Sequence, residues 1–113
     1  MHELSLCRAI IETLQSEAAR HDYRRVKGVR LELGPFAAVD AEALRFAFEV
    51  ASTRTLAAGA WLEILIPTAR ARCAECGRES APAQRFDPCP HCGAYALALL
   101  SGDELRIKDL EVE

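Results

Sequence analysis

Leu4, Cys7, Ile11, Leu14 and Ala18 recur at spacings of three and four, which puts them on one face of a helix running to about His21. Arg8, Glu12, Gln15 and Arg20 occupy the opposite, solvent-facing side. Gly28 punctuates the connection that follows. Val29, Leu31 and Leu33 then alternate with Arg30 and Glu32, the pattern of a half-buried strand, and Gly34-Pro35 ends it. Asp40 precedes Ala41-Glu42-Ala43-Leu44 and is placed to cap a second helix. Leu44, Phe48 and Ala51 form the buried stripe of that helix, with Phe46 and Ala47 in support. Gly59 closes the region. Trp61 to Ile66 reads as a second strand with Leu62, Ile64 and Ile66 on one face, stopped by Pro67.

Between Arg70 and Ala94 the composition changes. This stretch holds four of the five cysteines, three of the five prolines and few large apolar groups, so hydrophobic burial alone does not hold it together. After it, Ala96 to Leu100 is strand-like and Gly102-Asp103 makes a turn. Leu105 and Ile107 alternate with Arg106 and Lys108, but Leu110 and Val112 fall on the other parity, which calls for a bulge near Asp109. The expected fold is α+β: two helices packed on a three-stranded sheet, with an inserted zinc-ribbon-like module. The expected domains are a discontinuous α/β domain, residues 1–68 and 97–113, and a metal-binding module, residues 69–96.

Length and charge narrow the function classes. A chain of 113 residues, half of them hydrophobic, can form a compact domain with a real core. Its net charge of −3, from 14 Lys+Arg against 17 Asp+Glu, lacks the basic excess of a nucleic-acid binder. No apolar run is long enough to span a bilayer, and the start lacks a basic segment followed by an apolar one. A cytoplasmic location is expected. In that reducing compartment a paired set of cysteines indicates a metal site before a disulfide framework.

Cys73-Ala74-Glu75-Cys76-Gly77 and Cys89-Pro90-His91-Cys92-Gly93 are two such pairs, twelve residues apart. Thiolates three positions apart reach one ion from a tight turn, and glycine after the second cysteine allows a positive φ there. Two facing knuckles make a tetrahedral four-sulfur site that suits zinc and leaves no open position for hydrolytic chemistry. The same spacing occurs in rubredoxins, which hold iron and carry electrons, although those chains are about half as long and lack the helical front part. His91, inside the second knuckle, is expected to face solvent. Cys7, on the apolar stripe of the first helix, is expected to act as a small buried hydrophobe.

His2 sits beside the leading α-amine. That amine, the His2 amide nitrogen and the imidazole can close two fused chelate rings on one ion, and the Glu3 amide can complete a square of nitrogens. Such planar donors favour nickel(II) or copper(II). The amine has an ordinary pKa of about 7.7–8.0, so metal displaces a proton and binding weakens in acid. Glu3 also suits a helix N-terminus electrostatically.

Taken together, Met1-His2-Glu3-Leu4-Ser5, Leu33-Gly34, Ala43-Leu44-Arg45-Phe46-Ala47-Phe48-Glu49 and the two cysteine knuckles resemble the hydrogenase nickel-incorporation proteins of the HypA/HybF family over nearly the whole chain. The resemblance implies a nickel metallochaperone, not an enzyme. It implies nickel binding by Met1, His2 and Glu3, with Asp40 as a further candidate beside its capping role. It implies structural zinc on Cys73, Cys76, Cys89 and Cys92. The implied partners are a nickel-handling GTPase and the large subunit of nickel-iron hydrogenase, with urease as another destination in some members. Some relatives carry a histidine next to the last cysteine of a knuckle; here Gly77 and Gly93 stand there. The competing binding-module reading is a nucleic-acid-binding zinc ribbon. Arg70, Arg72, Arg78 and Arg85 support it, and Glu75, Glu79 and Asp87 largely offset them. No phosphate-cradling glycine loop and no triad context are present.

Overall fold

The computed structural model describes residues 2–113. Helix α1 spans His2–His21 and buries Cys7, Ile10, Ile11 and Leu14. Asp22 ends it in a left-handed conformation, φ 56°, with the Tyr23 amide donating to Ala18 O. The Tyr23 hydroxyl donates to Leu14 O at 2.7 Å. Helix α2 spans Ala41–Ser52 and begins at Asp40 as the sequence predicts, burying Leu44, Ala47 and Phe48. Phe46 departs from its expected supporting role in the core and is 63% exposed. It lies one position off the Leu44–Phe48 row, on the solvent side of the helix.

Two compact units organise the chain. The first comprises Met1–Glu32, Val39–Leu65 and Arg106–Glu113; the second comprises Leu33–Ala38 and Ile66–Leu105. The first is built on strands β1 (Val26–Leu33), β2 (Trp61–Leu65) and, at the end of the chain, β6 (Leu105–Val112), in spatial order β2-β1-β6. β1 and β2 are parallel, registered from Gly28 opposite Trp61 to Glu32 opposite Leu65, with α2 as the crossover. Cys7, Ile11 and Leu14 of α1, Val29 and Leu31 of β1 and Leu44 and Phe48 of α2 supply the core of this unit. Ile66, expected on β2, lies beyond the strand and is 59% exposed.

The charged face of the sheet shows how β6 is set. Glu32 pairs with Arg106, Arg30 with Asp109 at 2.7 Å, and Trp61 Nε1, opposite Gly28, donates to Glu111 at 3.0 Å. Backbone bonds from Gly34 N to Glu104 O and from Glu113 N to Arg25 O run the strands antiparallel, and the half-buried residues of β6, Leu105, Ile107 and Leu110, change spacing beside Asp109, where the sequence calls for a bulge. Gly28 is not in the connection; it is inside β1. A Cβ there would meet Trp61 Cε2 at 1.8 Å, so the glycine is where the indole crosses the strand.

The second unit has its own sheet: β3 (Arg70–Cys73), β4 (Glu79–Ser80) and β5 (Leu97–Ser101), in order β4-β3-β5 and antiparallel. It is larger than the cysteine-rich stretch 69–96, because β5 pairs with β3 and the segment 33–38 joins it. Gly34 N donates to Glu104 O and Phe36 N to Gly102 O, both at 2.7 Å.

Candidate metal centre

Each cysteine knuckle is closed by the same two backbone bonds. Gly77 N donates to Cys73 O and Gly93 N to Cys89 O, both at 2.8 Å; Cys73 N donates to Arg78 O and Cys89 N to Ala94 O. Gly77 and Gly93 have φ of 74° and 80°, as the motif requires. β3 delivers the first knuckle, and its residue Cys73 registers with Leu97 of β5.

The four sulfurs converge within 4.8 Å of one another. Cys73 Sγ lies 3.6 Å from Cys92 Sγ, and Cys76 Sγ lies 3.7 Å from Cys89 Sγ. These separations are too long for disulfides. A tetrahedral zinc site with bonds of about 2.3 Å has sulfur–sulfur edges of about 3.8 Å, so the group has the size of a zinc-binding four-cysteine cluster. Cys73 and Cys89 are buried, while Cys76 and Cys92 are exposed. The environment splits the thiols. Burial pushes Cys89 up, but amide donors from Cys92 and His91 and its thiol neighbours outweigh this and bring it down to about 6. At Cys92 the Ala94 amide favours the thiolate, yet burial and the surrounding sulfurs push it up to about 12. Four mutually close thiolates need a cation to be ionised together. The side chain of His91 is not part of the cluster; its backbone amide donates to Cys89 Sγ at 3.4 Å.

At the other candidate site, Met1 lies outside the described residues. The His2 side chain is 61% exposed, with Nδ1 3.8 Å from Glu3 Oε2. The same Glu3 oxygen accepts from Asp40 N at 3.5 Å, linking the start of α1 to the start of α2. No local sequence signal reports that link, since it joins residues 37 positions apart. Asp40 Oδ1 accepts from Glu42 N at 2.9 Å and Ala43 N at 3.2 Å, a full N-cap. Cys7 is completely buried, and burial together with nearby Glu3 pushes its thiol up to about 11. Its Sγ–H reaches Leu44 O at 3.5 Å, consistent with an inert core residue.

A two-helix α+β fold carrying a four-cysteine cluster defines a small metal-binding protein. The family described as "Hydrogenase/urease nickel incorporation, metallochaperone, hypA" matches residues 1–112. Hydrogenase maturation factors HypA from Alkalilimnicola ehrlichii and Azotobacter chroococcum mcd 1 are each 50% identical over all of both chains, and the one from Azotobacter vinelandii is 45% identical over the same span. The chain belongs to the HypA family of metallochaperones and maturation factors, and it is not an enzyme. The solution structure of the nickel metallochaperone HypA from Helicobacter pylori has the same fold, with a TM-score of 0.74 at 21% identity, covering 97% of this chain and 96% of that one. A second HypA solution structure superposes with a TM-score of 0.76 at 24% identity.

Proposed function

We propose that this chain binds Ni(II) through the Met1 amine, the His2 imidazole and the amide nitrogens of His2 and Glu3, and delivers it to the large subunit of a nickel-iron hydrogenase. Loading urease is a second destination compatible with the family description. The observation that carries this reading is the Met1-His2-Glu3 start in a chain of the nickel-incorporation family. Local structure supports it. The amides of His2 and Glu3 lie in the first turn of α1, where N–H groups have no intrahelical acceptor. Deprotonating them to bind a metal breaks no helix hydrogen bond. His2 is also exposed, as a site that must give up its cargo requires.

Zinc on Cys73, Cys76, Cys89 and Cys92 plays the structural part, since four protein ligands leave no exchangeable position. Asp40 serves the helix cap, its Oδ1 being taken up by two amides. The transfer takes place in the cytoplasm with a nickel-handling GTPase, which supplies nucleotide hydrolysis that this chain does not. Release follows when the acceptor offers thiolates, softer ligands that compete for the ion while the amine and amide nitrogens take their protons back. Calorimetric titration of tag-free protein with nickel tests the site. His2→Ala, or one residue added ahead of Met1, removes specific nickel binding while zinc stays bound. Undiminished affinity in both variants refutes the assignment.

A further inference from the structure

The four cysteines of the cluster are not equally sheltered. Cys73 and Cys89, the first cysteine of each knuckle, are buried, whereas Cys76 and Cys92, the second of each, are exposed. Each exposed cysteine has a close sulfur neighbour in the opposite knuckle. Cys92 Sγ lies 3.6 Å from Cys73 Sγ, and Cys76 Sγ lies 3.7 Å from Cys89 Sγ. The cluster is thus two pairs, each joining an exposed sulfur of one knuckle to a buried sulfur of the other. A disulfide is about 2.04 Å long, so each pair closes by a relative movement of about 1.6 Å.

The backbone ties the two knuckles together independently of the sulfurs. Ala74 N donates to Ala96 O at 2.9 Å, and Cys73 registers with Leu97 across β3 and β5. Cys89 N donates to Ala94 O at 2.8 Å, so the second knuckle closes just before the residues that the first one pairs with. Loss of the metal therefore does not by itself separate the paired sulfurs.

We propose that the cluster is a reversible thiol switch, in which peroxide attacked by exposed Cys76 and Cys92 converts the four thiolates into two disulfides crossing between the knuckles, Cys73–Cys92 and Cys76–Cys89, and zinc is expelled. The switch presupposes that these cysteines hold the zinc. The Cys92 sulfur attacks one peroxide oxygen, the O–O bond breaks, and a sulfenic acid and hydroxide form. The Cys73 thiolate then attacks the sulfenic sulfur, the S–S bond forms, and a second hydroxide leaves. Cys76 and Cys89 consume another peroxide in the same way. Four thiolates lose four electrons, two peroxides gain them, and four hydroxides and one Zn(II) are released. The thiolate is the metal ligand, so the oxidised cluster no longer holds the ion. A dithiol reductant reverses both bonds by exchange, and zinc binds again. The competing products, Cys73–Cys76 and Cys89–Cys92, would leave no sulfur bond between the two turns.

Tag-free, zinc-loaded full chain is treated with hydrogen peroxide, with zinc followed by a chromogenic chelator and disulfides by mass spectrometry. Zinc content before oxidation is read first: protein whose four cysteines hold no zinc refutes the zinc assignment and the switch with it. In zinc-loaded protein the expected result is loss of the zinc to about two equivalents of peroxide. Tryptic peptides 73–78 and 86–106 become covalently linked, and their fragmentation spectra assign Cys73–Cys92 and Cys76–Cys89. Dithiothreitol followed by zinc restores the cluster. Disulfides confined within each peptide, the other cross-knuckle pairing, oxidation that dithiothreitol does not reverse, or zinc retained under peroxide that oxidises free glutathione overturns the switch while leaving the zinc assignment intact.

Discussion

Asp40 offers a substitution pair that separates helix capping from metal ligation. Asp40→Ala removes the acceptor of two amides, Glu42 N and Ala43 N, at the start of a helix that contributes Leu44, Ala47 and Phe48 to the core. Loss of such a cap costs about 1 kcal/mol. For a chain of this size that lowers the melting temperature by about 4 °C. Asp40→Asn keeps a side-chain oxygen in the same place, caps as well as aspartate and removes only the negative charge. The expected result is a lower melting temperature for the alanine variant alone, read by circular dichroism on zinc-loaded protein. Nickel affinity, read by calorimetry on the same samples, stays within about twofold for the asparagine variant. If Asp40→Asn melts normally but binds nickel about tenfold more weakly, the carboxylate is a nickel ligand and the capping account of Asp40 is incomplete. If both variants melt early, the charge and not the cap geometry stabilises the helix.

Three further outcomes follow from the packing and the cluster. Gly28→Ala drives a methyl group into the Trp61 ring and costs about 1–3 kcal/mol, with a red shift in tryptophan fluorescence as the indole leaves the strand; unchanged emission and stability contradict it. Zinc uptake by metal-free protein at pH 7 releases protons, because Cys92 is held at about 12 and must ionise to ligate. Affinity therefore falls as pH falls, and a weakly buffered titration with an indicator dye that shows no acidification refutes this. Cys7, held at about 11 and fully buried, stays unmodified by iodoacetamide at pH 8 in folded, zinc-loaded protein; its labelling, seen by mass spectrometry, contradicts the core assignment.

The sequence displays local features well and tertiary ones poorly. The Asp40 cap, the helical stripe ending at His21 and the glycines of the two knuckles each depend on residues within a turn of one another. The parity change near Asp109 is legible for the same reason, since it lies within one strand, whose half-buried residues are Leu105, Ile107 and Leu110. The second sheet is hidden because β3 buries only Ala71 and Cys73 and β4 is two residues long, so neither carries a run of large apolar side chains. Gly28 reads as punctuation because the reason for it, Trp61, lies 33 positions away and meets it only across the β1–β2 register. At the metal sites, the cysteines announce themselves by spacing, whereas the Glu3 contact with the Asp40 amide needs both helices in place.

X-ray absorption at the nickel edge, on tag-free protein carrying one equivalent of nickel and a full complement of zinc, tests the central claim most directly. A first shell made only of nitrogen and oxygen neighbours, lost in His2→Ala, is the predicted spectrum. Sulfur in the nickel shell would move the cargo to the cysteine cluster and contradict a separate N-terminal site.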